Sequence, residues 1–187
     1  MGFLDTLLGR TRPKAPDLDQ LFALPSAAVT LRTSTQFRPS GQGSVAFKAA
    51  EGGAFTGLTQ HIADLLALDQ DRFTMTTDTF GYTWLTRAGG PDDLEGLVTD
   101  LHAVNTSLVE SGYGTALLCT LVAFTDGDRP LGLIYLYKRG TWYPFAPAAR
   151  GSRDTALELE VKAVLMDDLR IEPELGCWFP IYGAPGL

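Results

Sequence analysis

The chain predicts an α+β fold: an antiparallel sheet of hairpins with helices packed on it, plus a short N-terminal amphipathic helix. Three observations carry this. Residues 116–125, 131–138 and 141–146 are apolar, β-rich runs separated only by Asp126-Gly127-Asp128 and Arg139-Gly140. Strands joined by such short turns run antiparallel, which excludes a Rossmann-type parallel sheet. Residues 92–111 carry Leu94, Leu97, Val98, Leu101 and Leu108 at helical spacing, a stripe that needs a sheet or another helix to cover it.

The elements follow in order. Phe3, Leu4, Leu7 and Leu8 share one side of a helix, and Arg10, Arg12 and Lys14 come directly after them. Pro13 and Pro16 end that helix. A helix this short is marginal alone in water, so its stripe needs its own domain, a partner or a membrane surface. Residues 1–16 therefore read as a docking arm and basic linker, and 17–187 as a single α+β domain. Residues 17–24 predict a short helix stopped near Pro25, with Leu18, Leu21 and Phe22 on one side. Val29 and Leu31 alternate with Thr30 and Arg32, which predicts a strand at 27–33. A loop through Pro39, Gly41 and Gly43 leads to a strand at 44–49.

Gly52-Gly53 opens a second helix with Phe55, Leu58, Ile62, Leu65 and Leu66 in register. Strands are expected near 72–78 and 80–87. In helix 92–111, Asp92 is placed to cap the first turn with Glu95 as its capping-box partner, and Gly112 to close the last turn. In the meander, 116–125 is expected to lie centrally, and Pro144 and Pro147 put the last strand at an edge. The final helix, 153–168, begins near Ser152 and turns Leu157, Val161, Val164 and Leu165 to the core. The tail 172–187 contains Trp178, Phe179, Ile181 and Tyr182. It is too apolar to stay in solvent and is expected to pack on the domain.

Composition excludes several functions. A net charge of −7 on 187 residues argues against nucleic-acid binding, which needs a basic face. The hydrophobic content of 45% is that of a globular chain. No run approaches the roughly 20 apolar residues of a membrane span, and the N-terminus lacks the apolar core and cleavage site of a secretory signal. Gly2 and Thr6 match a myristoylation pattern that is too short to carry weight. Two cysteines make no disulfide framework. Cys119 sits in an apolar strand as a buried hydrophobe, and the pair fits a reducing cytoplasmic setting.

The residues offer little chemistry. No metal-ligand, Walker, dinucleotide or nucleophile-elbow motif is present, so neither a metal nor a cofactor is expected. The carboxylate pairs Asp92-Asp93, Asp126/Asp128 and Asp167-Asp168 lie at helix ends or turns, where capping and solvation explain them. His61 flanks its helix stripe. His102 and Asn105 lie one turn apart, and Asn105 falls inside the apolar face. Such an amide either fixes helix–sheet register, the favoured reading, or joins His102 in gripping a peptide or small ligand. Lys138 and Arg139, with Trp142, form a basic hairpin tip beside aromatics, either a solvated turn, the reading that the negative net charge favours, or a site for a phosphate, an acidic peptide or a nucleic-acid strand.

Five blocks, taken together, resemble the PspA-associated protein PspAB family. They are Met1-Gly-Phe-Leu-Asp-Thr-Leu-Leu-Gly-Arg, then 21–29, then 96–105, then Leu133-Ile134-Tyr135-Leu136-Tyr137-Lys138-Arg139-Gly140, then Trp178-Phe179-Pro180-Ile181-Tyr182-Gly183-Ala184-Pro185-Gly186-Leu187. They run in order along nearly the whole chain. The resemblance implies a part in the phage-shock envelope-stress response and association with PspA, a coiled-coil protein that coats damaged inner membrane. It implies a cytoplasmic protein, peripheral on the inner face of the membrane, and no catalytic residue. The pattern at 94–124 is also similar to YbjN-type and type III secretion chaperone-like domains, which are peptide-binding or dimerising modules. On these readings the chain is a non-enzymatic adaptor docked through Phe3, Leu4, Leu7, Leu8, Arg10, Arg12 and Lys14, or alternatively a chaperone-like peptide-binding module.

Overall fold

The structure, a computed structural model, describes residues 17–48 and 73–187. The arm 1–16 and the helix expected over Phe55–Leu66, with His61, lie outside the described residues. Six strands form one antiparallel sheet: β1 (Arg38–Phe47), β2 (Phe73–Thr77), β3 (Thr83–Ala88), β4 (Leu117–Thr125), β5 (Pro130–Leu136) and β6 (Thr141–Phe145). Their spatial order is β2-β3-β1-β4-β5-β6. Three helices pack with this sheet: α1 (Leu24–Thr35), α2 (Leu94–Glu110) and α3 (Thr155–Leu165). A 3-10 helix, Leu18–Ala23, precedes α1, and a small hairpin of β7 (Pro147–Ala148) and β8 (Ser152–Arg153) leads into α3. The α+β class and the meander are as the sequence predicts. No described helix is long and apolar enough to cross a membrane.

Strand alternation builds two cores. Val45, Leu85, Val122, Leu133, Tyr135 and Trp142 point to the helix side and meet Leu24, Leu31, Leu97, Leu101, Val161 and Leu165. Their sequence neighbours Ala46, Trp84, Leu121, Ile134 and Tyr143 point to the other side, where Trp178 and Ala184 of the tail cover them. The tail is thus part of the fold, as its composition demanded. The central strand β4 is buried along nearly its full length, which explains why it reads as a continuous apolar run.

Residues 27–33 are helical, contrary to the alternation read from Val29 and Leu31. The buried set is Leu24, Ala27, Ala28 and Leu31, spaced i, i+3, i+4, i+7, while Val29 is 67% exposed. The alternation came from two faces of one helix. Pro25 sits in the first turn of α1 and starts the helix instead of stopping one, because that position needs no amide hydrogen. Residues 38–43, expected as loop, open β1. The register against β4 shifts between Pro39 and Gly43, so the strand bulges where the proline and glycines lie. A Cβ on Gly43 would stand 2.7 Å from Leu101 Cδ1. Only glycine lets α2 press this closely on the strand.

Helix α2 is capped by Asp93, one residue after the expected Asp92. Asp93 Oδ1 accepts from Gly96 N at 3.2 Å and its Oδ2 accepts from Arg87 Nη2 at 2.8 Å. The link to buried Arg87 is what selects Asp93, since the cap then also ties the helix to β3. At the other end Gly112 has φ +86°. Tyr113 N donates to Leu108 O at 2.8 Å and Gly112 N to Val109 O at 3.0 Å, the paired bonds of a left-handed glycine cap.

Candidate functional site

After α3 the chain turns along the free side of β6. Trp142 N donates to Arg170 O at 2.8 Å, and Glu172 N donates to Trp142 O at 2.7 Å. The Glu172 side chain is fully buried. Its carboxylate accepts from Arg139 Nε at 2.6 Å, Arg139 Nη2 at 2.8 Å, Thr141 Oγ1 at 2.6 Å and Glu174 N at 3.1 Å. Burial alone would raise its pKa, but these four donors outweigh that and hold it below the ordinary glutamate value.

From this anchor the tail crosses the outer face of the sheet. Trp178 stacks on Tyr143 with ring centroids 6.1 Å apart, and its Nε1 donates to Glu172 O at 3.0 Å. A second ion pair, Arg153 with buried Glu158 at 2.7 Å, presents Arg153 Nη1 to Trp178 O at 2.8 Å. Tyr143 OH donates to Phe179 O at 2.9 Å.

The tail does not cover the face completely. A half-open cleft of about 620 Å³ remains between it and the sheet. Ala46, Trp84, Leu118 and Cys119 lie along the sheet side of the cleft, and Phe179 and Ile181 along the tail side. Lys138 and Arg139 sit at its border. Its walls are apolar, so it suits an apolar side chain or short peptide more than a polar metabolite. Burial pushes the Cys119 thiol up to about 12, which removes it as a nucleophile at neutral pH. Glu172, Glu174 and Cys177 bring ligand-type atoms within 4.8 Å of one another. The Arg139 guanidinium already sits on both carboxylates, at 2.6 and 3.4 Å, so the cluster reads as an ion pair.

The residues singled out in the sequence divide between the two sides. Lys138 and Arg139 come together at the cleft. Trp142, next in the same hairpin, points the opposite way into the helix-side core, 5.2 Å from the Tyr135 ring. His102 lies on α2 with its ring 4.6 Å from Phe22 and Nε2 3.4 Å from Asp19 Oδ1. Asn105 turns inward from the same helix: its Nδ2 donates to Leu101 O at 2.7 Å and to Thr120 Oγ1 at 3.0 Å. His102 and Asn105 therefore engage different elements, and the amide fixes α2 against β4. Replacing Asn105 with alanine should cost about 1–3 kcal/mol, since it leaves the buried Thr120 hydroxyl short of a partner and opens a small void. Urea denaturation with an unchanged midpoint would refute that role. Phe3, Leu4, Leu7, Leu8, Arg10, Arg12 and Lys14 lie outside the described residues.

Sequence reasoning missed Glu172, Arg153 and Glu158. Glu172 meets Arg139 from 33 residues away, a pairing that no local pattern carries. Trp84 lies within the strand expected near 80–87, but no local pattern places it in a cavity.

No curated protein and no solved structure matches the chain. A family model does: that of PspAB, PspA associated protein B, which matches residues 1–186. With the match running through arm, sheet, helices and tail alike, the chain belongs to the PspA associated protein B family.

Proposed function

We propose that this protein is a non-enzymatic adaptor or regulator of the phage-shock envelope-stress response, binding PspA or a related partner at the inner face of the cell membrane. The observation that carries this is the family match over residues 1–186, since the family is named for its association with PspA. Two features fit the reading. The arm with Phe3, Leu4, Leu7 and Leu8 followed by Arg10, Arg12 and Lys14 has the make-up of a docking segment for a membrane or partner surface. The conspicuous polar clusters at Glu172 and Glu158 serve to hold the tail, which is architecture and not acid–base chemistry.

Mild crosslinking and pull-down from stressed native cells, with the full chain and a form lacking residues 1–14, tests this. PspA recovered with the full chain alone places the contact on the arm. Recovery with both places it on the remainder of the chain. Recovery with neither, while PspA is present in the lysate, rejects a direct partnership.

A second reading, a chaperone-like peptide-binding module, is favoured by the apolar cleft beside the aromatic hairpin. Trp84 lines that cleft, so its fluorescence would change on titration with apolar peptides. A flat response across a peptide panel would reject this reading.

A further inference from the structure

The two edges of the six-stranded sheet are treated differently. On the β6 edge the outward-facing backbone groups of Trp142 and Ala146 are engaged. Trp142 N donates to Arg170 O and Trp142 O accepts from Glu172 N. Pro144 has no amide hydrogen, and Ala146 N donates to Glu158 Oε1 at 2.9 Å. Residues 170–172 already lie along that edge.

Among the described residues the β2 edge is open. Asp78 N donates to Tyr82 O at 2.9 Å, which sets the alternation along the β2–β3 ladder. Thr74 and Thr76 then bond to β3, and Phe73, Met75 and Thr77 turn their N–H and C=O groups away from it. No described strand lies beyond them. Thr74, Met75, Thr76 and Thr77 are all exposed. The strand has no lysine, no proline and no charge in its Phe-Thr-Met-Thr-Thr run, so it carries none of the residues that keep an edge from pairing.

We infer that the β2 edge is a self-association site, at which two copies of this chain pair β2 with β2 antiparallel about a two-fold axis. The sequence of outward groups selects the register. A two-fold axis at Met75 sets Met75 against its own copy and Phe73 against Thr77 of the other copy. Every outward N–H and C=O of the strand then meets one from the other copy. A shift of the axis to Thr74 or Thr76 leaves one outward residue of each copy unpaired. The opposed side chains of Phe73–Thr77 in the Met75 register are uncharged, so none of these cross-strand pairs is repulsive, and closed two-fold pairing ends with the dimer. The two sheets would join into one. Contact through a five-residue strand is smaller than a standard stable interface, so the dimer is a weak, concentration-dependent one.

Sedimentation equilibrium of the full chain from about 1 to about 500 µM is the test. A monomer–dimer equilibrium within that range is expected. Met75→Pro removes an outward amide hydrogen and leaves the β3 ladder its bonds. It should weaken association by about tenfold or more. A second variant, Thr74→Lys with Thr76→Lys, guards against a proline that spoils folding. In the dimer it sets lysine against lysine across the axis and should abolish pairing. A chain that stays monomeric throughout, or a dimer that both folded variants retain, overturns the proposal.

Discussion

Replacing Trp178 with alanine should destabilise the fold by about 3–5 kcal/mol, the usual range for truncating a buried tryptophan. At this chain length that lowers the melting temperature by on the order of 10 °C. Trp178 is 4% exposed and is the main aromatic that the tail sets against the outer sheet face. Its loss uncovers Tyr143 and removes the donor to Glu172 O, while the backbone carbonyl that accepts from Arg153 stays in place. The damage should be local first. Hydrogen exchange should rise in residues 172–187 well before it rises in α2 or β4, because the helix-side core does not involve the tail. Dye binding to exposed apolar surface should increase. An alanine variant with the parent's stability would mean that the tail does not hold this face.

Substitution of Glu172 should have the next largest effect and a pH signature. In Glu172→Ala the buried Thr141 hydroxyl and the Glu174 amide lose their acceptor, at a cost of about 2–3 kcal/mol. The ion pair adds less, since the Arg139 side chain is 42% exposed and its field is screened. The folded carboxyl has a lowered pKa, so it contributes stability above its unfolded value, about 4.5, and loses that contribution as pH falls through the folded value. Glu172→Gln keeps the shape and drops the charge. It should therefore be less stable than the parent at pH 7, and the gap should begin to shrink below the unfolded value of about 4.5 and vanish once the pH is below the lowered folded value. Urea midpoints at several pH values measure this. A gap that stays constant with pH would show that Glu172 acts by packing alone.

Both residues hold one wall of the apolar cleft, so the two variants also bear on function. If the cleft takes peptide, each should weaken that binding while leaving any contact made through residues 1–14 intact. That contrast separates the adaptor and peptide-binding readings in one set of proteins.

Legibility in the sequence follows the range of the interaction. The meander, its turns, the edge position of Pro144, the helix at 94–110 and its Gly112 cap were all readable, because each is fixed by residues within about one turn or one hairpin of one another. The error at 27–33 has the same origin in reverse. Over seven residues a helix and a strand can show the same alternation, and only burial of Leu24, Ala27, Ala28 and Leu31 against the sheet decided between them. The Pro39–Gly43 stretch looked like a loop because its glycines and proline answer to a bulge and to a helix pressing from above.

The sequence by itself determined the α+β class, the order of the hairpins, the packing of the tail on the domain and membership of the family. Tertiary structure alone decided where that tail lies, which polar groups lock it and that a cleft remains beside it. The reason is physical. Apolar periodicity is written locally and survives in any window of the chain, whereas the Glu172–Arg139–Thr141 anchor and the Arg153–Trp178 contact exist only once distant segments share one sheet face.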